Sequence, residues 1–145
     1  MSVAPEEIAL DRAATTRFKC HPARADWCKM ALSGMRYEVL VPAGFVPRRV
    51  LDLGAQEGAF ACWVTRKWPR AWVDLVEPEE ALAALAKENM PPGAKMMSVN
   101  KGLARLPLEG YQLVRVGRDP GRDWGELKRV RGIVIYDMAT VGERA

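Results

Sequence analysis

Three observations predict an α/β fold, with an open and mostly parallel sheet of about five strands flanked by helices. Short apolar runs alternate with segments of helical period along most of the chain. One of those runs, "RVLDL" at 49–53, leads directly into Gly54 and a second glycine at Gly58. The 145 residues, 49% of them apolar, suffice for one hydrophobic core and are too apolar for a disordered chain. The expected organisation is a single domain over 1–145, with an N-terminal extension over 1–45 and a ligand-binding core over 46–138.

Each element follows from local chemistry. Residues 49–53 read as a short buried strand. Phe60, Trp63, Val64 and Trp68 recur at helical spacing and define one apolar face, with a helix start near Glu57. Arg66 and Lys67 suit its last turn, and Pro69 ends it. "AWVDLVE" (71–77) is a second strand. Pro78 opens the next helix, with Glu79 and Glu80 in its first turn and Leu82, Leu85 and Ala86 as its buried stripe. Asn89 and Pro91–Pro92 stop it. Residues 94–100 predict a third strand, 111–116 a fourth in which Arg115 is the one awkward residue, and 132–138 a fifth. A short helix over 123–130 is weakened by Gly125. Strands alternating with helices imply right-handed crossovers and hence a parallel sheet. In the N-terminal extension, 23–32 read as helix through Trp27, Met30 and Ala31, and "YEVLV" (37–41) as an extra strand.

Composition narrows the function classes. No apolar run approaches the roughly 18–20 residues that span a bilayer. The first residues, "MSVAPEEIALD", carry acid where a secretory signal carries base, so the expected location is cytoplasmic. Three cysteines are read as reduced thiols, with Cys62 in the core. Cys20, His21 and Cys28 fit no common zinc spacing and lack a fourth ligand, so no metal is expected. Trp63 and Trp68 fit a buried helix face better than a base-stacking platform. The net charge of +4 is unevenly spread: residues 51–100 hold five basic and seven acidic residues, and both flanks are net basic. That pattern suits an anionic small molecule or RNA and decides neither.

The ligand edge is where the sequence is most specific. In an open parallel sheet, ligands bind beyond the carboxyl ends of the strands. Gly54 and Gly58 fall where backbone approaches a ligand, and Glu77 ends the neighbouring strand 23 residues after Gly54. A carboxylate there can accept hydrogen bonds from both hydroxyls of a ribose. The dinucleotide pattern G-x-G-x-x-G would need glycine at Gln56, whose side chain crowds a pyrophosphate, and no G-x-x-x-x-G-K-[ST] is present. A nucleoside without a phosphate remains.

"VLDLGAQEGAF", "LVEP" and "VNKGLA" together resemble the class I S-adenosylmethionine-dependent methyltransferases. Within them the chain is most similar to the FkbM-like group, whose loop reads D-x-G-A-x-x-G. The resemblance runs over about residues 35–116. It implies a Rossmann-like sheet and S-adenosyl-L-methionine as cofactor. It also implies a methyl group passed to an oxygen or nitrogen of a small or carbohydrate-like substrate. By position it assigns Gly54, Ala55 and Gly58 to the methionine part of the cofactor, with Asp52 steadying the loop and the cofactor amine. Glu77 would hold the ribose, Pro78 the adenine edge, and Asn100 and Lys101 would lie near the adenine.

The chain also departs from that pattern. The FkbM-like group places D-x-E-G after the fourth strand, whereas here the sequence is "VRVGRDPGRDW", with Gly117 at the first carboxylate. Asp119 and Asp137 are the catalytic candidates that remain, although Asp119-Pro120-Gly121 is also a plain turn sequence. Arg115, Arg118 and Arg122 offer charge for an anionic substrate. The usual last two strands of the sheet are missing, which leaves an edge for a homodimer to cover. One alternative with the same fold is a catalytically silent cofactor-binding or protein-interaction module. Another is an RNA methyltransferase, for which the chain has basic flanks but no recognition motif.

Overall fold

The strands of the parallel sheet are short and mostly apolar, and what orders them is the crossover between them. The computed structural model describes residues 4–10, 17–97 and 103–137. After an antiparallel hairpin of β1 (Glu6–Ala9) and β2 (Arg17–Cys20) comes α1 (Ala25–Ser33). Then follow β3 (Arg49–Leu53), α2 (Ala59–Lys67), β4 (Trp72–Val76), α3 (Glu80–Asn89) and β5 (Ala94–Met96). The chain closes with β6 (Leu113–Val116) and β7 (Ile133–Tyr136). Strands β3 to β7 form one parallel sheet in the order β5-β4-β3-β6-β7. This is the expected Rossmann-like architecture.

Alternation along each strand sends side chains to two cores. Val50, Val73, Leu75, Leu113 and Ile135 face a layer made of the hairpin, α1, α2 and Ala86 of α3. Leu51, Leu53, Val114 and Val116 face the opposite way, onto Leu103, Leu106, Leu108, Tyr111 and Leu127. Among the described residues that second layer contains only 3-10 segments: Leu103–Arg105, Leu108–Gly110 and Gly121–Arg129. The predicted helix over 123–130 is therefore 3-10 in form.

On the helix side, Phe60 sits edge-on to Tyr37 at 4.9 Å between centroids, and Trp63 lies 5.1 Å from the same ring. Burying each such side chain contributes about 1.5–3 kcal/mol. Trp63 also explains Gly34. A Cβ there would lie 2.2 Å from the indole nitrogen, and Gly34 has a φ of 81°, which ends α1.

The extra strand predicted at 37–41 does not form. Tyr37 and Glu38 both donate their N–H to Gly34 O at 2.9 Å, so the chain keeps turning into a 3-10 segment at Glu38–Leu40. Only Tyr37 of this run is buried, whereas Val39 is 86% exposed. Its apolar residues mimic a strand, but the turn donors are already committed. The N-terminal strands lie earlier, in the hairpin. Phe18 and Cys20 point inward there, and the amide of Asn89 pairs with both N and O of Lys19 at 2.7 Å. Of the third predicted strand, Ala94–Met96 is formed, and Asn100 and Lys101 lie outside the described residues.

Candidate functional site

Strand order reverses between β3 and β6, and at such a switch point the loops leave a crevice at the carboxyl edge. Two segments face each other there: Gly54–Gly58 after β3 and Gly117–Arg118 after β6. Gly54 has a φ of 79°, and a Cβ on it would lie 2.5 Å from Arg118 Cβ and 2.8 Å from Arg118 N. Glycine is needed at 54 to let the two segments touch.

The loop is held from several elements at once. Gly54 and Ala55 donate their N–H groups to Val76 O at 2.8 and 3.0 Å, and Gly58 donates to Ala55 O. Gln56 adopts a φ of 54°, unusual for a residue with a side chain. Its N–H donates to Glu77 Oε1 at 2.7 Å, and its side-chain oxygen accepts from Arg24 Nη2 at 2.6 Å. Arg24 Nε donates to both oxygens of the buried Glu57, at 2.9 and 2.8 Å. Asn89 Nδ2 donates to Glu57 O at 2.9 Å, so one amide ties both the hairpin and the loop to the end of α3.

Glu77 is buried, and its other oxygen accepts the N–H of Glu79 at 2.8 Å. Both oxygens thus serve the backbone of the loop and of the α3 entry. A carboxylate offers about four acceptor sites, so two remain. Pro78 is exposed at the rim.

The two aspartates are engaged by arginine. Arg115 Nη1 donates to Asp52 Oδ1 at 2.7 Å and to Gly54 O at 3.2 Å, and its Nε donates to Asp137 Oδ2 at 3.0 Å. Arg36 and the Tyr37 hydroxyl also donate to Asp137, the latter at 2.9 Å. The Arg115 guanidinium lies 5.4 Å from the Trp27 ring centroid and 5.7 Å from that of Phe60. Asp52 therefore steadies the loop through Arg115, while its Oδ2 is buried with no partner among the described residues. Asp137 is a clasp for two arginines and a tyrosine.

Burial pushes the Asp52 carboxyl up from its ordinary value, and the charge and hydrogen bond of Arg115 bring it only part of the way back. Burial would also raise Asp137. There the Arg36 hydrogen bond, the Arg115 charge and the Tyr37 hydroxyl prevail, and its value is lowered. Arg115 stays cationic: burial opposes the charge, and Asp52, Tyr37 and Asp137 outweigh it.

Asp119, the other catalytic candidate, caps a turn. Its Oδ1 accepts Gly121 N and Trp124 Nε1, each at 2.8 Å. Trp124 in turn stacks on Tyr136. Gly117 has its own physical reason, because a Cβ there would lie 2.6 Å from Arg115 Nη1. The guanidinium fills the space that a side chain at 117 would occupy.

A cleft of about 260 Å³ opens beside these segments, lined by Leu53, Gly54, Val76, Pro78, Leu103 and Arg118, with Asp119, Pro120 and Asp123 on one wall. Its floor is apolar and its wall polar. Ligand clefts span roughly 300–1,000 Å³, and this one lies just below that range. The N–H groups of Gly54, Ala55, Gln56 and Gly58 are all engaged within the protein, so these four offer no donors to a phosphate.

Arg24 and the second role of Asn89 were not identified from sequence as parts of the site, and Arg115 was named only as charge for an anionic substrate, not as the partner of Asp52 and Asp137. Arg115 did carry a signal, as a charge inside an apolar strand. Arg24 carried none, because it reaches the loop from 32 residues away.

No family model and no curated protein matches the chain. In fold it is similar to solved methyltransferase structures. One is an assigned O-methyltransferase from Klebsiella pneumoniae, with TM-score 0.55 and 17% identity over 86% of this chain and 69% of that one. Another is an assigned caffeoyl-CoA O-methyltransferase from Staphylococcus aureus, with TM-score 0.55 and 13% identity over 79% of this chain and 58% of that one. A third is precorrin-6y C5,15-methyltransferase from Geobacter metallireducens, with TM-score 0.54 and 15% identity over 82% and 66%. The chain spans as little as 35% of another solved methyltransferase, at TM-score 0.43. At these identities the likeness shows the fold.

Proposed function

We propose that this chain binds S-adenosyl-L-methionine in the cleft at the switch point and passes its methyl group to an oxygen or nitrogen of a small or carbohydrate-like acceptor. The observation that carries the reading is the cleft itself. It lies at the carboxyl edge of the switch point, with apolar residues for a flat ring and the carboxylates of Asp119 and Asp123 on one wall, beside a loop whose amides are engaged. The fold shared with solved methyltransferases supports it, and the D-x-G-A-x-x-G loop supports an FkbM-like assignment within them.

The cofactor when bound supplies an activated methyl group on a sulfonium. The protein's part is to hold donor and acceptor in line. Gly54 lets the two rim segments meet, while Asp52 acts through Arg115 on Gly54 O, and Glu77 and Arg24 fix Gln56. Val76, Pro78 and Leu103 would flank the ring. Residues Ala55 and Gly58 shape the loop, and Glu77, buried and outside the cleft lining, stays in the proposal as the ribose residue on the sequence resemblance alone. Asn100 and Lys101 stay in the proposal on the sequence resemblance alone.

Calorimetry with S-adenosylhomocysteine tests the reading. Wild type should bind in the micromolar range, and Pro78→Trp, which fills the exposed rim without touching the core, should abolish binding. Failure of wild type to bind at millimolar concentration overturns it.

A second reading, a silent binding module, is favoured by one observation. Asp52, Asp137 and Asp119 are each held in hydrogen bonds, so none is a ready general base. Transfer of labelled methyl groups to any acceptor in an extract excludes that reading, and tight cofactor binding without transfer supports it. The outer edge at β7, with exposed Tyr136, is proposed as a self-pairing surface, for which sedimentation is the check.

A further inference from the structure

Arg118 differs from the other arginines around the cleft. Arg115, Arg24 and Arg36 are each hydrogen-bonded to carboxylates. Arg118 makes no hydrogen bond among the described residues, and its side chain is 52% exposed, with Nη1 3.8 Å from Glu77 Oε2. Its backbone is fixed. Gly117 N donates to Leu53 O at 2.7 Å, and the Arg118 stem rests directly on Gly54. The guanidinium therefore stands on a rigid base at the cleft wall, with its fork of donors open. Glu77 does not depend on it, because Gln56 and Glu79 already donate to that carboxylate. A ligand that takes the guanidinium leaves Glu77 these two backbone donors.

We infer that Arg118 is the specificity-determining residue of the cleft and receives the carboxylate at the amino-acid end of the bound cofactor, as a two-pronged pair. The inference rests on the function proposed above. That function needs the adenosyl part to bind, whereas this inference concerns only what distinguishes ligands with and without the amino-acid end.

The test uses two probes, S-adenosylhomocysteine and 5′-methylthioadenosine, which share the adenosyl thioether and differ in the amino acid. Calorimetry on wild type should show S-adenosylhomocysteine bound about tenfold or more tightly than 5′-methylthioadenosine, with the gap narrowing as salt rises. Arg118→Met should remove the gap by weakening only the first probe, and Arg118→Lys should restore part of it. An unchanged melting temperature in both variants shows that the fold is intact. Equal weakening of both probes, no weakening, or tighter binding in Arg118→Met each overturns the inference while leaving the functional reading standing. Failure of both probes to bind wild type overturns the functional reading and this inference with it.

Discussion

The two faces of the sheet are covered by different kinds of structure. One carries α1, α2, part of α3 and the hairpin, and it holds the Tyr37–Phe60–Trp63 aromatic cluster. By strand alternation Asp52, Arg115 and Asp137 share this face with Val50, Leu113 and Ile135. The other is covered by 3-10 segments, whose hydrogen bonds have poorer geometry and whose runs are short. The cleft draws its walls from that second side, through Leu53, Val76, Leu103 and Asp123. The lesson is a division of labour. The helical side fixes the loop, and the side that forms the cleft is built from 3-10 segments, which are expected to open at lower cost.

The sharpest way to break this contrast is Arg115→Met, which leaves Asp52 and Asp137 buried without their central cation. Urea unfolding should show a loss of about 3–5 kcal/mol. A loss below about 1 kcal/mol would mean that the network adds nothing to the helical side. Next comes packing. Phe60→Ala should cost about 3–5 kcal/mol, and Leu127→Ala on the 3-10 side about 2 kcal/mol. Equal costs would erase the distinction between the faces. Hydrogen exchange refines it further: amides of 121–129 should exchange through local openings, while those of α2 should exchange only with global unfolding.

The pH dependence isolates one member of the network. Asp137 has a folded value below its unfolded one, so its stabilisation is complete above about pH 4 and is lost as pH falls through the folded value. Asp52 is raised, so it acts with the opposite sign as pH rises from its unfolded towards its folded value. Unfolding midpoints measured from pH 6 down to about pH 2.5 should therefore fall less steeply for Asp137→Asn than for wild type. The smallest effect concerns thiols. Burial pushes Cys62 up to about 12, against the opposing charge of Arg66, and Cys20 and Cys28 are raised chiefly by burial too. Native protein at pH 8 should react with a thiol reagent only as fast as it opens.

What the sequence revealed follows the same division. α2 was visible because Phe60, Trp63 and Val64 repeat at 3.6 residues on a face that is buried. Four of the five parallel strands were visible as apolar runs ended by glycine, proline or acid, and β5 as a weaker run without such a stop. The 3-10 layer has no such period, so residues 103–110 gave no element in advance. Tyr37–Val41 misled because an apolar run marks a strand only where its alternate side chains are buried, and here just Tyr37 is. At the site, the position of Gly54 at the strand exit was legible from type and spacing. The side chains that hold the loop were not, since Arg24 and Asn89 act across 32 residues or more. Such partners depend on packing rather than on local pattern.

Gly117 and Arg115 place a constraint on how this sequence can change. A carboxylate does not fit at 117 while the guanidinium sits 2.6 Å from where its first carbon would go. Removing Arg115 first would unseat Asp52 and Asp137 before any benefit arrived. The two positions are therefore coupled: a side chain at 117 requires the guanidinium to move, and moving it gives up the bonds to Asp52 and Asp137.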